Sequence, residues 1–392
     1  MAGTAQHAHI TRFIDPVPPT AGIEEEFFLV DPHTRRVAPD AAEVVRRAGT
    51  WSGGSISTEF TKYQVETRTD PFSDVDDLAT EVARMRDIAA TAATEAGLRV
   101  TATGTPVQGD IVPPPIADIP RYRETTAMFR TLQDGQSISA CHVHVHMPDP
   151  ELAVLVSNHL RPWLPVLLSM NGNSPYWAGR DTGYASWRTL SWSGWPVAGP
   201  PPYYESRDHF DELVGTLVAG GALMDRRSIF WDVRPSAHLP TIEVRVADVA
   251  ATAFEGPLFA ALVRALVTLA AQAVRHGDRG PRTAPELLRA ASWRAARDGL
   301  EGKGIDTRTG KLRDAGQLVE SLLAEVRPIL TVWGEWDRVT GWWQRLRSIG
   351  SGAARQRAAY AERGHLDDVV DCLIEQNRPG SLHKGRTVVH SG

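Results

Sequence analysis

GIEEEFF (residues 22–28), YQVETRT (63–69), CHVHVHM (141–147) and TIEVRVAD (241–248) share one rhythm, in which ionisable and apolar side chains alternate. In a strand, residues two apart lie on the same face. One face then carries Glu24, Glu26, Gln64, Glu66, Arg68, His142, His144, His146, Glu243 and Arg245. The other carries mainly Ile23, Phe27, Val65, Val143, Val145, Ile242, Val244 and Val246. One such strand could sit at a wet sheet edge. Four predict a sheet with an apolar back and a densely ionised front. That front is costly unless it stays wet or binds cations, so the pattern points to a metal-dependent active site.

The rest of the composition narrows the class. The chain has 392 residues, 23% charged and 42% hydrophobic, which is ordinary for a soluble globular protein and long enough for one large domain or two smaller ones. A net charge of −5 and the lack of any Lys/Arg tract give no footprint for nucleic acid. Lysine is confined to Lys62, Lys303, Lys311 and Lys384. Arginine supplies nearly all positive charge; coding bias can explain that, and arginine also suits carboxylate and phosphate recognition. Cys141 and Cys372 form no motif. The first residues hold no signal-like apolar stretch, and Arg264 interrupts the richest apolar run (258–274), so no membrane span is expected. A reduced, cytoplasmic setting follows by default.

Along the chain, Ser73, Asp74 and Asp76 read as a cap for a helix over 75–95 that Gly97 stops. A strand in LRVTATGTP, a proline loop (112–120), a helix around 122–133 and a helix from Asp149 or Pro150 to about Met170 follow. Residues 171–204 are rich in Gly, Pro, Trp, Tyr and Ser with no period, which predicts an ordered lid or substrate loop, or else an aromatic packing loop. A helix over 208–224, one strand over 228–236 and a turn at Pro240 lead into TIEVRVAD. Beyond Phe254 the pattern reads almost wholly helical. Both ends of 22–248 supply charged strands to one sheet, so a single α+β domain over 21–380 is expected. A flexible segment (1–20) and a tail (381–392) flank it.

Glu24, Glu26, Glu66 and Glu243 are hard oxygen ligands suited to Mg2+ or Mn2+, with His142 or His144 able to add a nitrogen. Arg245 follows Glu243, and Arg234 follows Asp232, on the same faces. Clustered acids, a metal and arginine are what phosphoryl transfer needs. The HxHxH strand also resembles metal-dependent hydrolases, but later His and Asp ligands are missing apart from His238. No phosphate-binding loop occurs: TGKL (309–312) lacks the spacing, and GSGAAR (350–355) follows no strand and reads as a helix-starting turn.

GIEEEFFLVD, QVETRTDP, CHVHVHMPD, NSPYWAGRDTGYASWR and WDVRPS…PTIEVRVAD, in this order, resemble the type-2 glutamate–cysteine ligase family of carboxylate–amine ligases. SWRAARDGL and GAARQR extend the likeness more loosely. The resemblance implies a glutamine-synthetase-like, curved, mainly antiparallel sheet with helices on its convex side and a helical C-terminal layer. It implies ATP and Mg2+ (or Mn2+) as cofactors and a γ-glutamyl amide as product, made from glutamate or a related acid and cysteine or another amine. By motif position, Glu24, Glu26, Glu66 and Glu243 look like metal ligands. His142, His144, Arg245 and Arg234 look like nucleotide contacts, with Arg245, Arg234 and His142 catalytic. Arg188, Tyr184 and Trp187 are the substrate-binding candidates, and Glu59 matches a family acid without an assigned role. A homodimer is the assembly the resemblance suggests. An amide hydrolase on the same fold and a non-enzymatic binding protein are the competing readings.

Overall fold

The structure is a computed structural model that describes residues 15–50, 53–109 and 111–378. Most of the expected N-terminal segment and all of the expected tail lie outside the described residues. Seven strands form the main sheet: β1 (Ala21–Val30), β2 (Ser55–Thr58), β3 (Gln64–Arg68), β4 (Arg99–Thr101), β5 (Ala140–His146), β6 (Val233–Pro235) and β7 (Thr241–Asp248). Their order is β6-β7-β5-β1-β3-β2, and every pairing is antiparallel. Phe28 is matched to Gln64 on one side and to Thr101 on the other, so β4 continues the β5 edge of β1.

Register fixes the faces. Arg234, Glu243, His144 and Gly22 align across β6, β7, β5 and β1; His142, Glu24 and Arg68 align across β5, β1 and β3; Glu26 faces Glu66. Residues in register share a face, so the ionised front expected from the alternation is assembled as one surface. Behind it Ile23, Val143, Val145, Ile242 and Val244 pack into a core with helices α1 (Val75–Glu95), α2 (Pro150–Leu160) and α3 (Glu255–Arg275). Each such side chain taken from water contributes about 1.5–3 kcal/mol, and this back holds the costly front in place.

Local chemistry explains the helices. Asp74, rather than Ser73, caps α1 by accepting from the N–H groups of Asp76 and Asp77, and α1 buries Val75, Leu78, Val82, Met85 and Ala89 at helical spacing. The predicted helix to Met170 is broken by a tight turn at Arg161–Trp163, where Pro162 removes a donor. Helix α3 is long and apolar enough to cross a membrane, yet most of it is buried inside the protein. Its Arg264 is buried against Glu335 and the Ser73 carbonyl.

Three departures from the sequence reading matter. The strand expected over 228–236 is split at Asp232: Phe230–Trp231 pairs with Ala198–Gly199, and only Val233–Pro235 joins the main sheet. The helical C-terminal region is interrupted by a hairpin, Lys303–Asp306 with Lys311–Asp314, and TGKL runs from the end of its turn into its second strand; Gly310 adopts φ +69° and donates to the Asp306 carbonyl. Finally, β7 carries a bulge. Val244 faces Val143 and Ala247 faces Cys141, leaving Arg245 and Val246 opposite His142. Strict alternation puts Asp248 on the apolar back; the extra residue turns it to the front.

Candidate active site

The front-face carboxylates form two groups that meet at His142. Glu24, His142 and Glu243 bring ligand atoms within 4.8 Å of one another, and Glu26, Glu66 and His142 do the same. The His142 Nδ1 lies 3.3 Å from Glu24 Oε2 and 3.4 Å from an Arg245 nitrogen; its Nε2 has no hydrogen-bond partner and lies 4.0 Å from Glu26. Burial, then the Arg245 charge, pushes the His142 imidazole down to about 3. It is therefore neutral, the form in which histidine binds cations. His144 bonds through Nδ1 to Thr241 Oγ1 at 2.9 Å, and its unpartnered Nε2 faces Glu24 at 3.6 Å and Glu243 at 3.9 Å. His146 sits at the exposed end of β5, which leaves no three-histidine cluster on that strand.

The two groups differ electrically. Glu243 is clamped by Arg234 (Nε to Oε2, 2.8 Å) and by Arg245; burial would raise its carboxyl, but these guanidiniums hold it well below the usual range. Burial likewise opposes ionisation of Glu24, and the His142 and His144 contacts outweigh it. On the other side, burial and the Glu66 charge push Glu26 up to about 8. Burial and the Glu26 charge do the same to Glu59, and Glu66 is raised well above its ordinary value by burial and Glu59. Negative charge there exceeds what Arg68 and the Ala140 N–H (2.8 Å to Glu26) can balance. A divalent cation there would supply what is missing, and an oxygen-rich set with a single nitrogen is donor chemistry that suits Mg2+ or Mn2+ rather than zinc.

A cavity of about 180 Å³ opens onto this surface. Glu26, Glu59, His142, Arg188 and Arg245 line it together with the rings of Phe60, Tyr122, Trp192, Trp195 and Phe230, and Arg121, Arg227, Gln133 and Gln136 add further polar groups. Arg188 and Arg245 each keep a buried Nε without a partner. Arg188 is set by a short helix, Trp187–Trp192, capped by Ser186, and donates to the Arg245 carbonyl at 3.1 Å. The whole loop is tied to β7 through Asp248, which accepts from the Asn173 N–H (2.8 Å) and from the Ser174 (2.7 Å) and Ser186 (2.8 Å) hydroxyls. Residues 171–204 are thus an ordered, anchored segment.

Of the sequence candidates, Glu24, Glu26, Glu66, Glu243, His142, His144, Arg234 and Arg245 come together on the front face, and Arg188 joins them from the loop. Tyr184 and Trp187 do not line the cavity. Tyr184 accepts from Trp293 Nε1 at 3.2 Å, and Trp187 packs on Trp177 and Tyr184, so both serve the loop's outer packing. The reading missed Asp248, because the bulge reverses its phase. It missed Tyr122 and Phe230, which no local pattern marks, and it did not single out Trp192 within the aromatic loop it had marked. It also missed Asp232, whose carboxyl burial raises to about 6 against the pull of Arg188 and Arg245.

The front gathers acids, histidines and arginines on one antiparallel sheet. The fold is shared with a glutamate–cysteine ligase from Francisella tularensis solved in complex with AMP (TM-score 0.68, 13% identity, 92% of this chain and 89% of that one). It is shared equally with a bifunctional glutathione synthetase from Pasteurella multocida (TM-score 0.68, 15% identity, 96% of this chain and 53% of that one). At such identities the likeness concerns the fold. The sequence goes further: residues 20–372 match the model of glutamate–cysteine ligase family 2, and the chain belongs to that family. Relatives include a Mycobacterium sp. (strain KMS) protein named "Putative glutamate--cysteine ligase 2-2", 43% identical over 360 residues (91% of this chain, 98% of that one). A Saccharopolyspora erythraea protein named "Putative glutamate--cysteine ligase 2-1" is 42% identical over 360 residues (92% of this chain, 95% of that one).

Proposed function

We propose that the protein is an ATP-dependent carboxylate–amine ligase that joins the γ-carboxylate of glutamate to an amine and releases ADP and phosphate. The reading rests above all on two buried acid–histidine groups that share His142 beside the unpartnered guanidinium nitrogens of Arg188 and Arg245. Glu24 and Glu243 would hold one cation and Glu26 and Glu66, with Glu59 adjacent, another; His142, whose neutral ring offers a single lone pair, would complete one of the two. Bound divalent cations would neutralise phosphate charge and favour attack at phosphorus. A glutamate carboxylate oxygen attacks the γ-phosphorus, and ADP leaves. The amine nitrogen then attacks the acyl carbon; the carbon–oxygen bond to phosphate breaks, and nitrogen gives up a proton. Arg245, held by Glu243, presents N–H donors to the charge developing on the transferring group, with Arg234 buttressing Glu243 from the far side. The aromatic rings of the cavity keep water from the acyl phosphate.

Residues 21–380 act as one catalytic unit in this reading, and the two free cysteines suit a reducing cytoplasm. Incubation with ATP, Mg2+, glutamate and a panel of amines should yield ADP, phosphate and the amide by mass spectrometry. Net amide cleavage without ADP would favour the hydrolase alternative. Glu243→Gln should fold and lose turnover; an active Glu243→Gln enzyme would remove Glu243 from the cation set.

A further inference from the structure

We propose that a second cavity, behind Arg188, binds a small aliphatic ammonium ion, whose N–H groups donate to the Asp232 carboxylate and the Ser292 hydroxyl. This cleft of about 400 Å³ lies between the helix Trp187–Trp192, residues 198–202 and the helix Pro285–Asp298. Arg188 and Trp192 line both cavities, while Glu26, Glu59, His142 and Arg245 line only the catalytic one. Asp232 is held at the cleft by its backbone: its N–H donates to the Gly199 carbonyl at 2.9 Å, and its carbonyl accepts from the Arg245 N–H at 2.8 Å. Two polar groups in the cleft lack partners. Among the described residues nothing donates a hydrogen bond to the Asp232 carboxylate, on which Arg188 and Arg245 act only as distant charges. Ser292 is 7% exposed, and its Oγ is buried without a partner. Polar groups left this way are costly and rare in folded proteins.

Charge and shape select the ligand. The Arg188 guanidinium is turned toward β7, donating to the Arg245 carbonyl at 3.1 Å and lying 4.0 Å from Asp248. Arg289, the other cation lining the cleft, is largely exposed and lies 3.8 Å from Glu286. An anion entering the cleft meets the Asp232 carboxylate, whereas an ammonium finds there a charged acceptor. One carboxylate and one hydroxyl are too few for a divalent metal, which takes about six oxygen ligands. Leu190, Pro200, Pro201, Pro202 and Leu288 give apolar walls to a short alkyl body. In the ligase reading above, ATP and glutamate need Arg245 and the cation-holding glutamates, none of which lines this cleft. An occupant still reaches the catalytic side, because Arg188 and Trp192 belong to one six-residue helix shared by both walls. An ammonium at Asp232 offsets the negative charge acting on Arg188 and Arg245, so both guanidiniums attract anionic ligands more strongly. That coupling rests on the ligase reading; the binding itself does not.

Calorimetry on the full chain without nucleotide tests the site, with Mg2+ present to occupy the acidic front. n-Butylammonium should bind and butyrate should not. Tetramethylammonium, which has no N–H, should bind at least about tenfold more weakly. Asp232→Asn should weaken butylammonium at least about tenfold and still fold, since no donor loses its partner; Ser292→Ala should weaken it about threefold. Mg2+-ADP should tighten butylammonium binding about fivefold. Equal affinity in wild type and both variants, or a preference for butyrate, overturns the inference. Displacement by Mg2+-ADP or by glutamate also overturns it, because the cleft is then part of the substrate site. An affinity that ignores Mg2+-ADP overturns the coupling. No ADP formation with any acid and amine pair, with butylammonium still bound through Asp232, overturns the ligase reading and supports the cleft site.

Discussion

Replacing Glu66 by glutamine should make the metal-free protein more stable and its response to Mg2+ weaker. Glu66 and Glu26 face each other across β3 and β1, and their ligand oxygens lie within 4.8 Å. Two unit charges at that separation repel by about 3.5 kcal/mol at an effective dielectric constant of about 20. The protein relieves part of this by keeping protons, since burial and neighbouring carboxylates push Glu26 up to about 8 and Glu66 well above its ordinary value. The gain from Glu66→Gln is therefore a fraction of the full repulsion: about 1–3 kcal/mol near pH 8.5, or about 2–4 °C in Tm. Arg68 is not orphaned, because it keeps Glu24 at 3.2 Å. Thermal melts in EDTA and in excess Mg2+ read both effects. Wild type should gain more from Mg2+ than the variant does, because the Glu26–Glu66–His142 group loses a ligand while the Glu24–His142–Glu243 group keeps all of its own. A variant less stable than wild type in EDTA, or one with the full Mg2+ shift, would refute the charge excess.

The raised carboxyls also set a pH dependence. Glu26 and Glu59 hold protons in the folded state up to about 8, against 4.5 ordinarily, so the metal-free protein should lose stability as pH rises through that window. Mg2+ binding should release protons, seen in calorimetry as a heat that varies with buffer ionisation enthalpy; a buffer-independent heat contradicts this. On the back of the sheet, Glu25 is buried against Arg86 (Nε to Oε2, 2.7 Å), which also donates to the Ala250 carbonyl. Arg86→Ala should cost about 3–5 kcal/mol in urea denaturation, and pairing Glu25→Gln with Arg86→Met should recover most of it. Asp248→Ala should cost about 2–4 kcal/mol and lower turnover, because the Asn173 N–H and the Ser174 and Ser186 hydroxyls lose their acceptor. Unchanged turnover at full folding would detach the loop from catalysis.

The front face was legible because strand alternation is a physical constraint: once Ile23, Val143 and Val244 must be buried, Glu24, His142 and Glu243 must point the other way. The pairing of Glu26 with Glu66 was not legible, since register between distant strands depends on turns and bulges. Tyr184 and Trp187 illustrate a different limit. An aromatic loop marks a region, but which rings face the cavity depends on where Ser186 starts its helix and where Ala198 meets Phe230. The hairpin at Lys303–Asp306 was hidden because each of its short strands offers one apolar residue, Ile305 or Leu312, too few to show a period.

The bulge in β7 links phosphate chemistry to the loop that lines the cavity. Without the extra residue opposite His142, Asp248 would keep the phase of Val244 and Val246 and face the core, where an ionised carboxylate is intolerable. With it, Arg245 remains beside His142 and Glu243, while Asp248 reaches Asn173, Ser174 and Ser186. Those residues start the segment that delivers Arg188, Trp192 and Trp195 to the cavity. One strand thus holds both the proposed phosphate-binding arginine and, three residues on, the anchor of the loop that reaches the cavity. Asp248 therefore ties the position of the cavity-lining loop to the ionised face, and losing that carboxylate would disturb both at once.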